Sequence, residues 1–282
     1  MESFFASLYH ALSSSFPFEW AEFAFMWRGL LAMAIIAPLC ALMGVHVVNF
    51  RLAFFSDAIS HSTFAGVALG LLFGLAPFYG VIGLGVAAGI GITLLKSRSD
   101  LSSDTIISVI LSALVALGIV LLHVQKETRG FEAYLYGAVL ALSDAELLAL
   151  YAVGTVVFIM IARWFNRLIL ISLNADLAAS RGIPARRMEY LFAVILALVV
   201  TFSLRAVGLF MVTALLVIPA ATARNLAGGV RGLFWIAVGS AWAAGLSGLL
   251  LAFYLDTPAG ATIILISSLL FLASWIRVRL AG

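Results

Sequence analysis

Charge is what this chain has least of. Only 10% of its 282 residues are Asp, Glu, Lys or Arg, where a soluble domain carries roughly 25%. Lysine is confined to Lys96 and Lys126, and neither follows a glycine. No Gly-x-x-x-x-Gly-Lys-[Ser/Thr] run occurs, which excludes ATP binding by a P-loop. Cys40 is the single cysteine, so an intrachain disulfide and a thiolate metal cluster are both excluded. Gly-x-Ser-x-Gly and His-Glu-x-x-His are absent too, though an intramembrane protease stays conceivable on these grounds. The net charge of +3 is dispersed, without a basic stripe or interleaved aromatics, and gives no footing for nucleic acid.

What fills the space is hydrocarbon. Hydrophobic residues make up 64% of the sequence, and this predicts an all-α polytopic membrane protein in contact with lipid. About nine apolar segments approach the roughly 20 residues that a bilayer core demands. They run over 23–47, 56–76, 78–95, 105–123, 147–165, 188–205, 206–223, 232–254 and 258–276, which predicts about eight to nine transmembrane helices. The sixth and seventh are joined only by Arg205-Ala206, which makes one of them a candidate for a short or re-entrant segment. A permease domain over 23–279 follows an N-terminal segment, 1–22. The first twenty residues lack a basic stretch and a small-residue cleavage site, so no signal peptide is expected. Phe4, Phe5, Leu8 and Leu12 recur there at helical spacing and suit a short interfacial helix, with His10 at headgroup level. Residues 131–142, with Tyr134 and Tyr136, are too short to span and are expected as a short external or re-entrant helix.

Basic residues set the orientation. Twelve Lys and Arg fall after the odd-numbered segments, Arg163 to Arg187 among them, and four fall on the other side. The positive-inside rule then places the C-terminus in the cytoplasm and the N-terminus outside. Glycines such as Gly80, Gly83, Gly85, Gly89 and Gly91 allow close helix packing where no hydrophobic effect drives association.

Asp57 and His61 stand out against this background. They lie four residues apart, one helical turn, and so share a face. A carboxylate in mid-bilayer costs about 2.5–3.5 kcal/mol on insertion scales, so it needs a reason to be there. Carboxylate plus imidazole is half of a cation site. Spacing alone fits equally an internal hydrogen bond or ion pair that fixes the bundle. Asp256 precedes Pro258 at the opposite end of the chain and reads as a further ligand or as a helix cap. His46 and His123, near segment ends, read as interfacial.

Residues 172–187 form a polar loop. Asn174 is a candidate N-cap, Asp176 suits the positive helix end, Gly182 terminates and Pro184 prevents continuation. A short helix held at the inner face is either a docking element or a plain lipid-surface linker.

These residues resemble a known family. Arg51 to His61 is similar to the signature of metal-cation ABC transporter permeases, with Ser56 where glycine is usual. Gly208 to Arg224, Asp256-Thr257-Pro258-Ala259-Gly260 and Tyr136-Gly137 resemble further stretches of it in the same order. Within the family the chain looks most like the zinc permeases. The resemblance implies a type II ABC-importer-like fold and a homodimer in the bacterial inner (cytoplasmic) membrane. It implies cytoplasmic ABC ATPase subunits that dock on Asp176, Leu177, Ala178, Ala179 and Gly182, and an extracytoplasmic metal-binding protein. The cargo it implies is a divalent cation, Zn(II) before Mn(II) or Fe(II), with no permanently bound cofactor and with Asp57, His61 and Asp256 as metal ligands. An ion-coupled secondary transporter using the pair as a proton relay, or a membrane hydrolase, are the rival readings.

Overall fold

The computed structural model describes residues 16–125 and 139–281, together with Tyr9, Ala11, Ser13 and Gly137. Among the described residues nine long helices follow one another: α1 (Ala24–Asn49), α2 (Ala53–Leu72), α3 (Pro77–Lys96), α4 (Ser103–Gln125), α5 (Asp144–Leu173), α7 (Ala185–Val207), α8 (Leu209–Leu226), α9 (Val230–Leu255) and α10 (Ala259–Ala281). The short α6 (Ala175–Ser180) lies between α5 and α7. Eight of the nine are long and apolar enough to cross a membrane. The exception is α2, whose apolarity is diluted by Asp57, His61 and a run of Ser and Thr. The interfacial helix expected around Phe4 to Leu12 lies largely outside the described residues. So does most of 131–142, whose described end, Val139–Ala141, is a single 3-10 turn.

Three boundaries differ from the sequence expectation, each for a local reason. The break after α7 falls at Gly208, not Arg205-Ala206, because the chain turns there with φ of 80°, which only glycine adopts freely. Helix α5 starts at Asp144 and continues to Leu173, well beyond the apolar run. Its start is fixed by a capping box, in which Ser143 accepts from the Glu146 N–H and Glu146 accepts from the Ser143 N–H. Arg163 and Arg167 end the apolarity but not the helix, since both residues favour helical backbone. Helix α2 begins three residues earlier than the apolar run and stops at Leu72.

Two groups of helices pack around α7. Helix α2 lies against α3 and α4, and α1 lies against α5, α8 and α9, with α10 covering α8 and α9. Close approach depends on glycine. A Cβ on Gly66 would sit 2.7 Å from the Val81 Cα, and one on Gly80 would meet the Gly66 carbonyl oxygen, so α2 and α3 touch backbone to backbone. Gly44 of α1 meets the Leu216 backbone of α8 in the same way. A missing hydrogen bond also does service. Pro38 in α1 has no N–H for the Ala34 carbonyl, and the Trp242 indole of α9 donates to that oxygen at 2.9 Å. With no water in the slab, such an oxygen must find a donor within the protein.

The ends of the bundle are distinguishable. At one end Arg28 of α1 pairs with Asp144 at 3.1 Å, and Arg205 of α7 pairs with Glu146 at 2.7 Å. At the other, Arg186 at the start of α7 donates to Ser97 at 3.4 Å, next to Lys96 and α6.

A size-exclusion and thermal-stability comparison checks the packing. Gly80→Leu should cost at least about 1–3 kcal/mol by overpacking and lose the monodisperse peak. Gly83→Leu, where a Cβ meets open space, should leave it unchanged.

Candidate functional site on helix α2

Helix α2 reaches the middle of the bundle. Leu52 and Phe55 line a small cavity of about 20 Å³ with Lys96 and Glu189, near the Arg186 end. The Phe55 ring reaches Gly89 of α3, where Ala193 and Ala197 of α7 also converge. Ile59 and Ser62 then meet Gly85, which also faces Thr201. Asp57 therefore sits between the levels of Ala197 and Thr201, both interior positions of a helix that spans Ala185–Val207. Asp57 thus lies alongside the interior turns of α7, itself long and apolar enough to cross a membrane.

The two faces of α2 differ. Phe55, Ile59, Ser62 and Gly66 are buried against the bundle. Phe54, Asp57, His61 and Phe64 follow the i, i+3, i+4 spacing on the opposite side and remain half-buried or exposed in the single chain. The His61 ring lies 5.8 Å from that of Phe64. The pair thus faces an open side of its own bundle.

The local hydrogen bonding prepares His61. Its Nδ1 lies 2.9 Å from the Asp57 backbone carbonyl oxygen. A carbonyl only accepts, so Nδ1 carries the proton and donates, and Nε2 keeps its lone pair. A histidine whose other nitrogen donates to a carbonyl is the usual arrangement for a metal ligand. The Asp57 carboxylate is not consumed by His61 either. Among the described residues the salt bridges are Arg28–Asp144 and Arg205–Glu146, and this pair forms none. The Thr213 hydroxyl of α8 is bonded within its own helix, donating to the Phe210 carbonyl at 3.1 Å.

Other predicted residues fall elsewhere. Asp256 is exposed and caps the end of α9 in left-handed backbone with φ of 50°. It does not join Asp57 and His61, because no three His, Cys, Asp or Glu among the described residues come close enough to share an ion. His46 corrects an expectation. It is not interfacial but fully buried, edge-on to the rings of Phe165 and Phe192, with neither nitrogen hydrogen-bonded among the described residues. His123 is exposed near the end of α4, and Cys40 is buried and free.

The polar loop folds as its residues dictate. Asn174 Oδ1 accepts from the Leu177 N–H at 2.9 Å and caps α6. Gly182, with φ of 73°, ends it, and Pro184 precedes the first residue of α7. Asp176, Leu177 and Ala179 of α6 are exposed, while Ala178 anchors it.

The fold and this polar helix within an apolar bundle define a multi-pass transport protein. Residues 22–278 match the ABC 3 transport family, and the chain belongs to it. Among its relatives is the manganese import system permease protein ScaB of Streptococcus gordonii, 33% identical over 256 residues, which cover 90% of this chain and 91% of that one. The high-affinity zinc uptake system membrane protein ZnuB of Haemophilus influenzae is 29% identical over 254 residues, covering 89% and 97%. The solved structure of PsaBC from Streptococcus pneumoniae in complex with Fab superposes with a TM-score of 0.78 at 29% identity, over 98% of this chain and 95% of that one. The chain is accordingly a permease of an ABC transporter in the bacterial inner membrane.

The tautomer is measurable. In ¹⁵N-histidine-labelled protein studied by solid-state NMR, the signal lost in His61→Gln should be that of a neutral ring protonated at Nδ1. A ring protonated at Nε2 would show that the Asp57 carbonyl does not orient it.

Proposed function

We propose that this chain is the membrane half of an ATP-driven importer for a divalent transition-metal cation, and that the ion passes Asp57 and His61. The observation that carries this reading is the pairing of a carboxylate with a free Nε2 on one half-open face of α2, inside the slab. A nitrogen and an oxygen donor suit Zn(II) and are compatible with Mn(II) and Fe(II). The zinc preference expected from the resemblance now shares its support with manganese, since relatives named for each metal match over similar lengths.

Two donors from one chain hold an ion weakly. A homodimer would bring a second pair to the open faces, with water completing the shell. A conduit must release what it binds, so modest affinity serves transport. The Arg-rich end with α6 is then cytoplasmic, and the exposed Asp176, Leu177 and Ala179 meet the ATPase subunit. The end with Arg28–Asp144 and Arg205–Glu146 receives the extracytoplasmic metal-binding protein, with Asp256 on that side. ATP binding pushes on α6, the helices rock, and the ion moves past α2.

Uptake of radioactive metal by the complete transporter tests the site. Asp57→Asn and His61→Ala should each reduce uptake beyond the roughly 10–100-fold that loss of an outer hydrogen-bond partner costs, with assembly intact. Undiminished uptake in both would take the pair out of the pathway. For the loop, Gly182→Val forces a β-branched residue into left-handed backbone at more than about 1–2 kcal/mol. ATP hydrolysis should continue while metal uptake per ATP falls; an unchanged ratio would argue against α6 as the docking element.

A further inference from the structure

Helix α4 lies beside the half-open face of α2. Its Gly118 meets the α2 backbone at Phe64 and Ala65, and Phe64 belongs to the face that carries Asp57 and His61. Both helices start from the end where Lys96 and Arg186 lie, so they run the same way. Equal steps back from the contact lead from Phe64 to Asp57 and from Gly118 to Leu111. Ser112 therefore stands near the height of Asp57. Ser108 is one turn nearer the Arg-rich end and Asp104 one turn further, each step about 6 Å.

All three are exposed, while Ile106, Ile107 and Gly118 of the same helix turn inward. With Thr105 and Val109 they line a shallow groove of about 590 Å³. Internal bonding does not account for them. Ser62, Ser172 and Ser240 donate back to carbonyls of their own helices, but Ser108 and Ser112 make no such bond among the described residues. Ser102 caps α4 by accepting from the Thr105 N–H at 3.1 Å, so capping does not require Asp104. The Asp104 carboxylate forms no ion pair among the described residues. Yet α4 is long and apolar enough to cross a membrane. A carboxylate and two hydroxyls in line on such a helix are costly against hydrocarbon and belong beside water or an ion.

We propose that Asp104, Ser108 and Ser112 line the inward exit of the transport path and receive the hydrated divalent cation released from Asp57 and His61. This rests on the reading of that pair as the metal site. The ion keeps its water on the way. Hydroxyl oxygens accept hydrogen bonds from that water, and the carboxylate attracts the charge without a close bond. Loose contacts of this kind release what they receive, as a conduit must. They treat Mn(II) and Zn(II) alike, so the stripe sets the rate of transport and leaves the choice of metal to the pair.

The test uses the complete transporter in inside-out vesicles, in a Cys40→Ala background, with labelling read on this chain. A charged methanethiosulfonate reagent attacks only a thiolate, which forms in water and not in lipid. Ser108→Cys and Ser112→Cys should label, and Leu117→Cys, exposed half a turn round from Ser108, should not. Asp104→Asn should lower the maximal uptake of radioactive Mn(II) and Zn(II) alike by about tenfold, with the half-saturating concentration unchanged, and Asp104→Glu should restore it. Serine positions that stay unlabelled, as on a face covered by lipid or by a second copy of the chain, overturn the proposal. So does wild-type uptake in Asp104→Asn, or a loss matched by a lowered melting temperature, which would leave Asp104 a helix-end charge only. Labelling needs no metal, so the two readings fail separately. Unlabelled serines with uptake abolished in Asp57→Asn remove the exit and keep the pair; labelled serines with uptake intact in Asp57→Asn keep the exit and remove the pair.

Discussion

A carboxylate and an imidazole on a helix packed among membrane-spanning ones are the constraint to which the rest of this protein answers. Apolar neighbours cannot solvate them, so polar partners within the protein have to. The chain meets this by making α2 polar along one edge and surrounding its other faces with α3, α4 and α7. His61 is steadied by the Asp57 backbone carbonyl, which leaves its Nε2 lone pair free on the half-open face it shares with the Asp57 side chain. An apolar helix at the same place would insert more easily and would have nothing to offer an ion.

Holding such a helix demands close contact, because lipid tails are as apolar as leucine and give helices no solvent-driven reason to associate. Backbone-to-backbone contacts at Gly66–Gly80 and Gly44–Leu216 supply that contact through dispersion. Hydrogen bonds from Trp242 and Tyr151 to α1 carbonyls add directional ties. The Gly208 break, with φ of 80°, ends α7 and lets α8 begin at Leu209.

Much of this was legible beforehand. Hydrophobic run length located nearly every helix, since a spanning segment has to be apolar for about 20 residues. The cap at Asn174 and the stop at Gly182 were readable because both are local chemistry. Asp57 and His61 were readable because their oddity in an apolar run is itself the signal. The helix ends at Leu173 and Val207 were not, since apolarity reports the membrane while helicity follows backbone propensity and glycine.

The sequence by itself determined that the chain crosses a bilayer many times, and which helix carries the polar pair. Both follow from periodicity and from the cost of charge in hydrocarbon, which act along the chain. Only the tertiary structure decided that His46 is buried among phenylalanines and that Asp256 stands apart from Asp57 and His61. Those are contacts between distant segments, set by which glycines let which backbones touch, and no pattern within a single helix encodes them.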